Sequence, residues 1–213
     1  IQQNILYFSH ARTALKYGLD RLNLGFGNYI LLPDYICDVI LHPLNQLGIK
    51  YKFYSINNDF TPDWVQLEKM IDSNIKAVMM VHYFGQPQDI KKFQTLCNKH
   101  KILLIEDNAH GFGGNYNGNE LGTYGDIGIS SPRKTINIAS GGVLWQKGNN
   151  LNDDITIPSF SPSILNYLNI IISNNYPSIK SILKKILQNR PKYEDYKLFR
   201  EGIINDYTID SRS

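Results

Sequence analysis

Two short runs, Lys76 to Val81 (KAVMMV), apolar throughout after its lysine, and Ile102 to Ile105 (ILLI), constrain this chain more than any other feature. Both are too short for helices, and neither alternates with polar residues as a strand with one wet face would. A strand that is apolar at every position is covered on both sides, which is the condition of a parallel sheet between helical layers. The intervening segments supply those layers. Ala11 to Leu24 carries Ala14, Leu15, Leu19 and Leu22 near helical spacing. Val39 to Leu47 does the same and stops at Gly48, and Gln88 to His100 lies between the two runs. Thr61-Pro62-Asp63 reads as a helix start, with Thr61 as cap, proline at the first position and an acid in the first turn. Tyr29 to Leu32 and Tyr51 to Tyr54 read as further strands. The expected fold class is α/β, a mostly parallel sheet flanked by helices.

After Trp145 the pattern changes. Residues 149 to 163 are polar with two prolines, and three helices are expected at Ile164 to Ser173, Ile179 to Leu187 and Tyr193 to Ile204. The chain therefore divides into a sheet domain over residues 1–147 and a helical segment over 148–213. The lysines of the run Lys180 to Leu187 read as a solvated face rather than a membrane-binding one. A net charge of +3 does not call for nucleic acid. No apolar run approaches the roughly 20 residues of a membrane helix. Cys37 and Cys97 cannot build a disulfide framework, so a reducing, cytoplasmic setting is expected.

The chemistry gathers in two stretches. In Leu103 to Gly114 (LLIEDNAHGFGG), a buried strand runs into Glu106 and Asp107, with His110 one turn later and glycines that let the backbone pass close to something. Ligands of open parallel sheets sit beyond the carboxyl ends of strands, so Asp107 is expected to face a pocket. A dinucleotide fingerprint fails here because Tyr116 stands where a third glycine is needed, and Gly25-Phe26-Gly27 precedes a strand instead of following one. His110 and Asp107 lack the further ligands a metal requires, and His10, His42, His82 and His100 are scattered. In Gly125 to Gly142 (GDIGISSPRKTINIASGG), a short strand leads to Ser130, Ser131, Arg133 and Lys134. Serines beside a lysine after a strand can bind phosphate. An acid at one strand end and a lysine at another suit pyridoxal 5'-phosphate, which needs an amine to hold it as a Schiff base and a carboxylate at its ring nitrogen.

Five segments in order resemble the DegT/DnrJ/EryC1/StrS family of sugar aminotransferases, pyridoxal-phosphate enzymes of the aspartate aminotransferase fold. They are Ser9 to Leu15 (SHARTAL), Leu32 to Cys37 (LPDYIC), Val81 to Pro87 (VHYFGQP), Glu106 to His110 (EDNAH), and Ser130 to Lys134 (SSPRK) with Gly141-Gly142. The resemblance runs from about Ile5 to Trp145. It implies that Lys134 holds the cofactor and shuttles a proton, that Asp107 pairs with the pyridine N–H, and that His110 sits by the ring or its phenolic oxygen. It implies phosphate binding by Ser130 or Ser131 with the amides of Ala11, Arg12 and Thr13. Tyr35 or Cys37 would lie against the ring, Cys37 standing where the family often has an aromatic residue.

The implied reaction moves an amino group from an amino acid, glutamate by expectation, to a keto-sugar nucleotide in polysaccharide biosynthesis, within a homodimer. The family's C-terminal small domain and its N-terminal helix are expected to be missing from these residues. A truncated, inactive homologue is therefore the alternative. A deoxysugar dehydratase is the third reading, disfavoured because those relatives typically carry histidine in place of Lys134.

Overall fold

A computed structural model describes residues 3–138 and 140–148. The three expected helices beyond residue 163 lie outside the described residues. In chain order the elements are β1 (Gln3–Phe8), α1 (Ala11–Arg21), β2 (Tyr29–Pro33), α2 (Leu41–Gln46), β3 (Lys50–Tyr54), α3 (Trp64–Lys69) and β4 (Ile75–Val81). They continue with α4 (Ile90–His100), β5 (Leu103–Asn108), a small hairpin of β6 (Asn115–Tyr116) and β7 (Asn119–Glu120), β8 (Ile127–Ser130) and β9 (Gly142–Lys147).

Seven strands form one sheet in the order β1-β9-β8-β5-β4-β2-β3. Strands β2, β3, β4, β5 and β8 are mutually parallel. Strand β9 runs antiparallel to both of its neighbours, β8 and β1. The expectation of a mostly parallel sheet holds.

Side-chain alternation along each strand feeds two separate cores. Ile30, Leu32, Met79 and Ile105 pack with Leu15 and Leu19 of α1 and Leu44 of α2. Their sequence neighbours Leu31, Val78, Met80 and Leu104 pack on the other face with Leu67 of α3 and Phe93 and Leu96 of α4. This is why the strands read as unbroken apolar runs. The same alternation fixes which way each polar residue points when a run turns polar.

Three expectations are corrected. The helix expected from Thr61 begins later, at Trp64, because Asp63 and not Thr61 is the cap: its carboxylate accepts the N–H groups of Val65 at 3.1 Å and Gln66 at 3.0 Å. The helix expected from Gln88 begins at Ile90, capped by Asp89 accepting from the N–H of Lys92. The strand expected to end at Ile105 runs on through Glu106, Asp107 and Asn108, which pair with Gly128, Ile129 and Ser130 of β8. Strands β1 and β9 are additions to the sequence reading.

Close backbone contact holds the start of α1 on the sheet. His10 bridges to Gly141, and the N–H of Gly141 donates to the carbonyl of Ser9 at 2.7 Å. A Cβ on Gly142 would lie 2.2 Å from the His10 carbonyl carbon and 2.6 Å from the Ala11 nitrogen, both backbone atoms that cannot step aside. Gly142→Ala is therefore expected to destabilise the fold by about 1–3 kcal/mol, as overpacking does. A thermal melt checks it, with an expected drop of roughly 2–4 °C per kcal/mol.

Candidate active site

The carboxyl ends of β2, β4 and β5 and the turn after β8 surround a cleft of about 300 Å³. It sits where ligands of open α/β sheets are bound. Five of the sequence-predicted residues line it together: Tyr35, Cys37, Asp107, His110 and Lys134. Lys134 reaches it from a single 3-10 turn, Pro132–Lys134, closed by its own N–H on the Ser131 carbonyl at 2.9 Å.

The remaining predicted residues stand outside the lining. Ala11, Arg12 and Thr13 form the first turn of α1, whose cap residue His10 makes no side-chain cap bond. That turn is close to the lysine segment through Gly141, where a Cβ would come within 3.5 Å of Pro132. Ser130 and Ser131 are both buried, but differently used. The Ser130 hydroxyl donates to the Asn108 carbonyl at 2.8 Å, whereas that of Ser131 makes no hydrogen bond among the described residues.

Glu106 and Asp107 are neighbours in sequence but do not converge on one spot. Strand alternation sends Asp107 toward the α1 side, into the cleft, and Glu106 toward the α3 and α4 side. The Glu106 carboxylate is fully buried and accepts four hydrogen bonds. Gly122 N and His82 Nε2 reach one oxygen at 2.6 and 2.8 Å, and Tyr124 N and Gly125 N reach the other at 2.7 and 3.0 Å. Asn108, on the same face, donates from Nδ2 to the carbonyls of Gly111 and Leu121. The two residues flanking Asp107 thus fasten both ends of the 109–125 excursion.

Asp107 is 5% exposed, and its carboxylate accepts a hydrogen bond from the Ala109 N–H at 2.9 Å. Burial pushes its pKa above the ordinary carboxylate value; the Ala109 N–H and the positive charge of Lys134 pull it back without winning. A buried carboxylate left in this condition is suited to a cationic partner in the cleft. His110 is displaced the other way: burial and the neighbouring Lys134 ammonium lower its pKa, against the pull of Asp107.

Sequence reasoning gave no role to His82, Tyr83 and Phe84, which also line the cleft. The signal was present in VHYFGQP, directly after the first apolar run. Tyr83 donates from its hydroxyl to the Tyr35 carbonyl at 2.7 Å, tying the β2 loop to the end of β4. Phe84 lies nearly parallel to the His110 ring, with centroids 6.2 Å apart and planes 11° apart. It sits at φ 54°, unusual for a bulky residue and often found at functional sites. Gly111 allows this approach, since a Cβ there would lie 2.4 Å from Asn108 Oδ1 and 3.0 Å from Gly85 Cα. No group of three or more metal-ligating side chains exists among the described residues, and no helix among them is long and apolar enough to cross a membrane.

A seven-stranded, mostly parallel sheet with an acid and a lysine facing one cleft beyond its strand ends is the large-domain fold of type I pyridoxal-phosphate aminotransferases. The chain belongs to the DegT/DnrJ/EryC1/StrS aminotransferase family, whose sequence model matches residues 2–163. It is 31% identical to the GDP-perosamine synthase of Vibrio cholerae over 152 residues, which cover 70% of this chain and 40% of that protein. PseC of Helicobacter pylori, an aminotransferase involved in the biosynthesis of pseudoaminic acid, superposes with a TM-score of 0.63 at 28% identity. That match covers 68% of this chain and 40% of PseC. Spr1654 of Streptococcus pneumoniae in its PLP-form shares the fold, with a TM-score of 0.63 at 23% identity over 70% of this chain and 43% of that one. The family is pyridoxal-phosphate dependent. The chain thus spans about 40% of the length of the relatives it matches.

Proposed function

We propose that these residues form the cofactor-binding part of a cytoplasmic, homodimeric enzyme that moves an amino group from glutamate to the keto carbon of a nucleotide-linked sugar. The observation that carries this reading is the meeting of Lys134, His110 and a buried, charge-seeking Asp107 in one cleft. The free thiols of Cys37 and Cys97 agree with a reducing compartment.

Pyridoxal phosphate, when bound, supplies an electron sink that makes a proton on the amine-bearing carbon labile. The chain's residues do the rest. Lys134 Nζ would hold the cofactor and would be the group that moves that proton. Asp107 would keep the ring nitrogen protonated, and the cationic ring would offset the cost of burying its charge. His110, stacked on Phe84, would be placed to donate to the ring oxygen. Tyr35 and Cys37 line the cleft and would lie against the ring, restricting water. The N–H groups at the start of α1 and a serine hydroxyl would hold the phosphate.

Of the two serines, Ser131 is the better phosphate donor, because the Ser130 hydroxyl already serves the Asn108 carbonyl. Ser131→Ala is expected to weaken cofactor affinity about tenfold, the cost of one hydrogen bond to a charged group. Ser130→Ala should instead lower the melting temperature with little effect on affinity. Equilibrium titration with pyridoxal phosphate, paired with thermal melts, separates the two.

The function itself is tested with 15N-glutamate and a panel of GDP- and UDP-linked keto-sugars, following the label by mass spectrometry. Appearance of 15N in a nucleotide-linked amino sugar supports the reading. A chain that holds pyridoxal phosphate yet moves no label to any of them would contradict it and favour an inactive homologue.

A further inference from the structure

His82, directly after β4, is fully buried, and no step above uses it. Its ring is gripped at both nitrogens. Nδ1 accepts the backbone N–H of Gln88 at 3.1 Å, so that nitrogen carries no proton. Nε2 lies 2.8 Å from Glu106 Oε1 and must therefore be the N–H that donates. The main chain of the same residue holds the next link, since His82 N donates to the Asp107 carbonyl at 2.9 Å. One residue thus contacts both Glu106 and Asp107, on opposite faces of the sheet.

Asp107 has little hold of its own, because the hydrogen bond given to its carboxylate comes from Ala109 within the same turn. Its placement depends on its neighbours. Glu106 gathers the three N–H groups of Gly122, Tyr124 and Gly125, and Asn108 ties the carbonyls of Gly111 and Leu121. His82 supplies the fourth hydrogen bond to Glu106 and the only side-chain one among them. It also links that carboxylate to Gln88, just before α4. We propose that His82 is a positioning residue for Asp107: as the uncharged Nε2–H tautomer it locks Glu106, and this lock sets where the Asp107 carboxylate stands in the cleft. The inference rests on the reading of Asp107 as the partner of the cofactor ring.

Two substitutions split the lock. In His82→Gln, the side-chain amide N–H occupies the place of Nε2 and keeps the bond to Glu106. In His82→Asn, the amide oxygen occupies the place of Nδ1, keeps Gln88 and loses Glu106. The first readout needs no cofactor: carboxyl-carbon NMR follows the titration of Asp107 in the free chain. His82→Asn is expected to move that titration toward the ordinary carboxylate range, and His82→Gln to leave it in place. The second readout is the dissociation constant for pyridoxal phosphate, expected to rise about tenfold in His82→Asn only. A merely structural role would lower the melting temperature of both variants while leaving the Asp107 titration of the folded protein unmoved, and that result would overturn the proposal. If the parent chain fails to bind pyridoxal phosphate, the proposed function falls, while the Asp107 titration still decides the role of His82.

Discussion

Lys134→Ala is expected to reduce amino transfer from glutamate by about 10²–10⁴-fold, the range that a positioned proton-transfer group contributes. The loss should fall on kcat more than on KM, because Nζ acts on the reacting atoms while the substrate is held by other groups. The fold should survive. Lys134 is exposed at the end of a single 3-10 turn whose backbone bonds, Lys134 N to Ser131 O and Thr135 N to Pro132 O at 2.9 Å each, do not involve the side chain. A small exogenous amine should restore part of the rate by supplying a base in the vacated space. Unchanged single-turnover transfer in the variant would remove Lys134 from the chemistry.

Asp107→Asn should have opposite effects on stability and function. In the cofactor-free chain, burial raises the pKa of Asp107 above its unfolded value. For an acid shifted upward, the stabilising contribution is present below the unfolded pKa and is lost as pH rises through the folded pKa. Near neutral pH the buried charge is thus a cost to the fold. Asparagine removes the charge and can still accept the Ala109 N–H. The variant should melt higher than the parent at pH 7 by a few degrees, roughly 2–4 °C per kcal/mol recovered. The difference should vanish at pH below the ordinary carboxylate range. Function should move the other way, since a neutral amide cannot keep a ring nitrogen protonated. We expect a loss of at least about 10²-fold in amino transfer. Paired melts at pH 7 and pH 3 with single-turnover assays check both halves. A lower melting temperature at pH 7 would show that Asp107 already has an adequate cationic partner without the cofactor.

Much of this was legible in the sequence because it depends on local pattern. The runs KAVMMV and ILLI could only be strands covered twice, and they became β4 and β5 between two cores. The aspartate, histidine and lysine of the cleft were marked by their place just beyond strand ends, where ligands of open parallel sheets bind. What escaped detection depends on contacts between distant segments. Strands β1 and β9 pair with one another across more than a hundred residues of chain, a partnership with no local signature. Glu106 and Asp107 look equivalent as neighbours until the strand is known to continue through them, and then the period of two separates a structural acid from a cleft acid. The proposed preference for Ser131 over Ser130 rests on a carbonyl of Asn108, which register alone brings opposite Ser130. Thr61 and Asp63 are both good caps on paper. Only the carboxylate that reaches two free N–H groups decided between them.

The central claim is that Lys134 and Asp107 form a working pyridoxal-phosphate site within these residues. Its most direct test is covalent trapping: the purified chain is incubated with pyridoxal phosphate, reduced with borohydride, and the tag located by peptide mass mapping. The account predicts a single pyridoxyl tag on Lys134 in the parent chain. A folded chain that carries no tag, or carries it on surface lysines such as Lys52 or Lys99 while Lys134 stays bare, would contradict it.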